Sequence, residues 1–150
     1  MYDNLVKNDD QYWDVISGEK AGFPMTGLVS KPKADFDYAA FPWFVKIVFD
    51  IVHTDARGLP TAEDSIILDN LEDKILDVLY GSVILRQAAR ITWKGTRTVY
   101  LYAHSAEAIE GILRTFGASS TYRFSFACEH DPEWSIIKSI LPQIMDSISE

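Results

Sequence analysis

From residue 44 to 53 the chain alternates: Val45, Ile47, Phe49 and Ile51 fall on one face, with Lys46 and Asp50 on the other. That period of two predicts a half-buried strand. Residues 54–60 carry turn formers, and Thr61-Ala62-Glu63-Asp64 has the form of a capping box, in which side chains satisfy the free donors of a helix start. The period then lengthens. Ile67, Leu68, Leu71, Ile75, Val78 and Leu79 make one helical stripe to about residue 80, opposed by Asp69, Glu72, Asp73 and Asp77. Residues 83–92 and 96–103 read as two strands joined by a tight turn at Trp93-Lys94-Gly95, with Gly95 supplying a positive φ. Ser105 is placed to cap a second helix with Ile109, Ile112, Leu113 and Phe116 on one face, stopped by Gly117. Residues 122–128 supply another strand. Asp131-Pro132 then reads as a cap followed by a proline at the first helical position, opening a last helix with Ile137, Ile140, Leu141, Ile144 and Ile148 on one side, which Pro142 should kink or interrupt.

The first forty residues are less regular. Residues 12–16 and 23–29 look like short strands around a turn at 17–22, or equally like irregular cover. From residue 44 the order is β-α-β-β-α-β plus a helix, which predicts an α+β fold, with a ferredoxin-like antiparallel sheet and two helices on one face. At 150 residues, with no repeat or long linker, the chain 1–150 is expected to form a single domain.

Composition narrows the class. With 47% hydrophobic and 24% charged residues, neither a disordered tail nor an integral membrane protein fits. The lone Cys128 rules out an internal disulfide, and residues 1–10 lack the basic start and apolar run of a secretory signal, so a cytoplasmic location is expected. The net charge of -8 argues against direct binding to nucleic acid or anionic lipid. It is unevenly spread: residues 1–80 sum to -8, residues 81–128 to +4 and residues 129–150 to -4. The positive stretch owes its charge to Arg86, Arg90, Lys94, Arg97, Arg114 and Arg123.

No Walker loop, dinucleotide fingerprint, nucleophile elbow or His-Glu-x-x-His pair is present. Three weaker constellations remain. If the strands ending at His53 and Ala103 run parallel and adjacent, His53 and His104 approach each other near Asp55, two imidazoles and a carboxylate suited to a divalent ion. Local hydrogen bonding is the ordinary role of such histidines, and no metal or other cofactor is assigned. Cys128 and His130 have the types of a nucleophile and base, although Cys128 shares a face with Tyr122, Phe124 and Phe126 and reads first as a small buried hydrophobe. Tyr100, Tyr102, Arg86, Arg90 and Arg123 interleave rings and guanidinium groups as RNA-binding sheets do, on a face that the last helix would also cover.

Gly95-Thr96-Arg97 leading into Val99-Tyr100-Leu101-Tyr102, then Asp131-Pro132-Glu133-Trp134 and Leu141-Pro142, together with Leu71-Glu72-Asp73, resemble the bacterial family catalogued as domain of unknown function 695, over roughly residues 44–142. The resemblance transfers no reaction or ligand. It implies an architecture related to small bacterial regulators that bind a ribonuclease, and so leans toward protein binding by analogy of fold.

The leading expectation is a non-catalytic cytosolic protein-binding domain, in its sharpest form an immunity- or antitoxin-type inhibitor of a basic, nucleic-acid-acting toxin. The acidic helix face of Asp69, Glu72, Asp73 and Asp77 would steer a basic protein partner, and Asp35, Asp37, Tyr38 and Trp43 would add acids and aromatic anchors. The bland alternatives are a solvated helix face and rings that cap the core. A regulator binding RNA or a ribonuclease through the arginine and aromatic sheet face is the second expectation, and a metal-dependent enzyme the third.

Overall fold

The alternation around Ile47 is realised as one of six strands of a single antiparallel sheet. The computed structural model describes the backbone of residues 11–32 and 34–147, with side chains for all of these except residues 11, 12, 31 and 143–147. The reading of residues 1–10, the Ile148 position and the Ile144 side chain therefore lie outside the described residues. The strands are β1 (Gln11–Lys20), β2 (Phe23–Pro32), β3 (Trp43–Asp50), β4 (Leu85–Trp93), β5 (Thr96–Ala103) and β6 (Phe124–His130). The helices are α1 (Ala62–Ser82), α2 (Ala106–Ser119) and α3 (Ser135–Ser147), with a short 3-10 turn at Tyr38–Ala40.

Across the sheet the strands run β1-β2-β4-β5-β3-β6, every neighbouring pair antiparallel. The α+β class stands. The order is not that of a four-stranded ferredoxin-like sheet alone, because the β1–β2 hairpin extends it on the β4 side. That hairpin is regular, not irregular cover. Its strands continue to Lys20 and from Phe23, leaving a two-residue turn at Ala21-Gly22 with φ of 54° and 85°, so residues 17–20 belong to strand and not to turn. The β4–β5 turn has the same form: Lys94 and Gly95 adopt φ of 47° and 86°, the mirror-image turn whose twist suits a hairpin. At Gly27, β2 approaches β4 so closely that a side chain there would run into the Arg90 carbonyl oxygen.

Helices lie on both faces. α1 and α2 cover one side, over a core that includes Val45, Ile47, Phe49, Leu68, Ile75, Leu79, Val99, Leu101, Ile109 and Leu113. On the other side α3 and the segment around Phe36, Tyr38 and Phe41 cover Ile16, Met25, Val29, Phe44, Ile91 and Tyr102, with Trp134 and Ile137 as the helix anchors. Side chains alternate across a pleated strand, so one sheet feeds both cores.

Local readings of the helix ends meet mixed outcomes. Thr61 Oγ1 accepts from the Asp64 amide at 3.3 Å, the N-cap half of a capping box, while the Thr61 amide donates to the His53 carbonyl and not to Asp64. Ser105 makes no capping bond through its side chain, and α2 continues through Gly117 to Ser119. Asp131 caps α3 from a greater distance than expected: the helix begins at Ser135, and Pro132 sits in the preceding turn instead of at the first helical position. Trp134 closes that turn with φ 58°. α3 runs through Pro142 without interruption.

Candidate functional site

The acidic side of α1 divides in two. Asp69 and Asp73 are exposed and Asp77 is partly exposed, but Glu72 is 2% exposed and belongs to the interior. This corrects the sequence reading, and the reason lies beneath the helix. Arg97 on β5 and Arg90 on β4 point up from the sheet, and Glu72 meets both, Oε1 at 3.0 Å from Arg97 Nη1 and Oε2 at 3.3 Å from Arg90 Nη1. Arg97 also donates to Asp69 at 2.6 Å and to Thr92 Oγ1 at 3.2 Å. Burial alone would lower the Arg97 pKa, but the facing charges of Glu72 and Asp69 raise it above the usual guanidinium value. The cluster bolts α1 to the sheet, and Asp69 and Asp73 remain on the outward flank beside it.

The flank borders an uncovered stretch of sheet. One row of cross-strand neighbours runs Val15, Leu28, Arg90, Val99, Ile47 and Phe126 on the α1 face. Val99 is 1% exposed beneath the helices, the Arg90 side chain 32% exposed at their edge, and Val15 81% exposed beyond it. Trp13 and Leu28 on the same face are half-buried. Two helices span four strands, and among the described residues no helix covers the hairpin on this side.

Asp35 and Asp37 are exposed, whereas the rings between and after them turn inward. Tyr38 stands edge-on to Trp134 at 4.9 Å and to Phe36 at 5.0 Å, with Lys138 Nζ 4.9 Å from its ring centre. Trp43 lies 4.9 Å from the His130 ring at the end of the β3–β6 pair. Tyr38 is therefore part of the cap over the second core, and Trp43 edges the sheet.

The arginine and aromatic sheet face breaks up in three dimensions. Tyr102 is fully buried, stacked on Trp134 at 4.0 Å, and donates to Asp131 at 2.7 Å. Arg86 lies against the Phe41 ring at 5.2 Å, while Arg90 faces the opposite side under α1. What remains open on the α3 face is a different set: Lys20 and Lys94 stand 5.3 and 5.7 Å from the Trp93 ring, and Lys20 and Trp93 line a hollow of about 380 Å³ with Thr96, Thr98 and Tyr100. Burial raises the Tyr100 hydroxyl pKa. Sequence reading missed this cluster because its lysines come from the end of β1 and the β4–β5 turn and its rings from β4 and β5.

The expected approach of His53 to His104 fails on topology. β3 and β5 are adjacent but antiparallel, with Asp50 opposite Thr96 and Trp43 opposite Ala103, so His53 and His104 sit at opposite ends of the sheet. The crossover through α1 makes β3 and β4 parallel, and a strand threaded between them must oppose both. His53 instead places Nδ1 3.2 Å from Asp64 Oδ1. Among the described residues no group of three His, Cys, Asp or Glu side chains is placed to hold a metal ion.

Two buried carboxylates do structural work. Asp64 Oδ2 accepts from the Val52 and His53 amides, both at 3.1 Å, and from the Tyr122 hydroxyl at 2.8 Å. Asp131 accepts from the Ser135 and Ile136 amides at 2.9 Å besides Tyr102. Burial pushes both carboxyls up, yet these donors outweigh it and hold them below the ordinary value of 3.8. Cys128 is half-buried with Phe124 and Phe126 against the first core, as its strand face predicts. Burial, then the Glu110 carboxylate, pushes its thiol up to about 11. A thiol so held is a poor nucleophile at neutral pH.

No described helix is long and apolar enough to cross a membrane. The sequence profile described as "Family of unknown function (DUF695)" matches residues 6–141, a span that takes in the N-terminal hairpin as well as the stretch from residue 44. No curated protein and no solved structure matches the chain.

Proposed function

We propose that this chain, which belongs to the DUF695 family, is a non-catalytic protein-binding domain that captures a basic protein through the acidic flank of α1. The observation that carries this reading is the placement of Asp69 and Asp73 on an outward flank that adjoins bare apolar sheet. Carboxylates steer a cationic partner toward the surface, and desolvated apolar contact then supplies the affinity. Asp35 and Asp37 extend the acidic surface on the other side of the molecule. In its specific form the reading is an immunity- or antitoxin-type inhibitor, acting in the cytoplasm on a basic, nucleic-acid-acting toxin. The groups best suited to chemistry support binding over turnover: the buried carboxylates are consumed by structural hydrogen bonds, and the one thiol is held protonated.

The test is a partner captured with the intact chain and measured in purified form. Asp73→Lys with Asp77→Lys should weaken its binding about tenfold or more, and raising salt from 50 to 500 mM, roughly a threefold drop in Debye length, should slow association. A partner that is acidic, or whose binding ignores both changes, overturns the reading. A second reading, an RNA-binding regulator, draws on the two lysines set against Trp93. Retention of single-stranded RNA in a filter assay, lost in Trp93→Ala, would favour it.

A further inference from the structure

The bare face of the β1–β2 hairpin has the dimensions of one missing helix. Helices pack side by side at about 8–10 Å, and strands lie about 4.8 Å apart. A helix beside α1, in the same layer, therefore lies over β2 and β1. The row that descends from Val99 through Arg90 to Leu28 and Val15 marks where the layer stops. The opposite face of the hairpin is already occupied, with Ile16, Met25 and Val29 buried against the core under α3. Among the described residues, it is the α1 side of the hairpin that no helix covers.

The walls of this slot specify its occupant. Its floor has an apolar patch of Trp13, Val15 and Leu28, flanked on the same face by Ser17, Thr26 and Ser30, with Val15 the most exposed large hydrophobic residue among those described. One wall is the flank of α1 that carries Asp69 and Asp73, oriented by the Asp69–Arg97 contact, while Leu71 on the opposite flank packs into the core shared with α2. Glu19 lies on the same face of β1 as Val15. Among the described residues, the positive charge beside this wall is that of Arg90 and Arg97, balanced within the cluster by Glu72 and Asp69.

We propose that the slot receives an amphipathic basic helix from a partner protein, which docks as a third helix on the α1 face with apolar residues on Val15 and Leu28 and with lysines or arginines along Asp69 and Asp73. This rests on the reading of the chain as a binder of basic proteins and gives that partner a shape. The partner's apolar residues would recur at i, i+3, i+4 and i+7, and its cationic residues would lie on the side turned toward α1.

The probe is a synthetic peptide of about 18 residues, ~27 Å of helix, with leucines at i, i+3, i+4 and i+7 and lysines elsewhere. A control peptide has the same composition in an order that places leucines all around the helix. Binding to the full chain is followed by peptide anisotropy and by amide chemical shifts. The expected result is tighter binding of the amphipathic peptide, shifts confined to β1, β2 and α1, and a loss of about tenfold or more in Val15→Thr with Leu28→Thr, substitutions that keep strand propensity. The thermal midpoint of Val15→Thr alone should match the parent's, since Val15 is already in water, so binding lost in that single variant is not lost through unfolding. Equal binding of both peptides, with the double variant silent, overturns the slot and leaves acidic capture standing. Binding of neither peptide at low salt overturns both. Sedimentation that shows a dimer broken by Val15→Thr assigns the face to a second copy and also overturns the proposal.

Discussion

Glu72 illustrates how much a single buried charge depends on its surroundings. At 2% exposure its carboxylate faces two guanidinium groups, and Arg97 is as deeply placed. Removing the Glu72 charge leaves Arg97 with the half-exposed Asp69 as its remaining carboxylate partner among the described residues, and unbalancing a buried cluster costs more than the pair contributes relative to apolar residues of similar volume. Glu72→Gln should therefore destabilise the fold by about 3 kcal/mol, while Glu72→Met combined with Arg97→Met should cost clearly less than the two single changes added together. Urea unfolding of the four proteins in the cycle measures this; strict additivity would show that the charges do not interact. Cys128 gives a second check at this scale. Its thiol, held near 11 by burial and Glu110, should resist iodoacetamide at pH 7.5 in the native protein and react fully once unfolded.

At the scale of elements, α3 and the hairpin are the additions that turn a four-stranded core into a three-layer molecule. α3 depends on its first turn. Trp134 stacks on Tyr102, its Nε1 donates to the Phe41 carbonyl at 2.9 Å, and Asp131 ties the helix start to the same tyrosine. Trp134→Ala removes the ring that joins these contacts and should cost about 3–5 kcal/mol, with loss of the near-UV circular dichroism from the stacked pair. The hairpin depends on Gly27. In Gly27→Ala the new methyl meets backbone, the Arg90 carbonyl, so β2 must move off β4. Hydrogen exchange should then quicken in β1 and β2 before β3 and β5, the order expected of a locally opening unit. Uniform protection across all six strands would show that the sheet absorbs the methyl without releasing its edge.

For the whole molecule, the two helical layers are fastened by parallel devices: Asp64 with Tyr122 on the α1 side and Asp131 with Tyr102 on the α3 side. Both carboxyls titrate below 3.8 in the fold, so the unfolded chain binds more protons in that range and stability rises with pH there. The contribution is whole above about pH 4 and is lost as pH falls through the lowered folded values. The tyrosines mirror this. Burial, then the partner carboxylate, raises Tyr122 from 10.0 to about 12, so its contribution is whole below pH 10 and declines as pH rises toward 12. A plot of unfolding midpoint against pH should be flat between these windows and fall at both ends, and Asp131→Asn should shrink the acid fall. An acid limb unchanged by that variant would place the titration elsewhere.

Alternation and helical spacing were enough to locate β3 to β6 and all three helices, because burial of one face imposes its period on the residues themselves. The Thr61 cap, the Gly95 turn and the strand face of Cys128 were legible for the same reason: each depends on neighbours a few positions away. Glu72 was not. Its helical position is ambiguous between flank and interior, and only Arg90 and Arg97, brought beneath it by β4 and β5, make the interior favourable for a carboxylate. His53 and His104 were misplaced because strand direction follows from which strand fills the gap left by the α1 crossover, a choice no local pattern encodes. The bare hairpin face belongs to the tertiary structure for a related reason. Val15 and Ile16 are apolar neighbours on opposite faces, and whether either is covered depends on where helices from elsewhere in the chain come to rest.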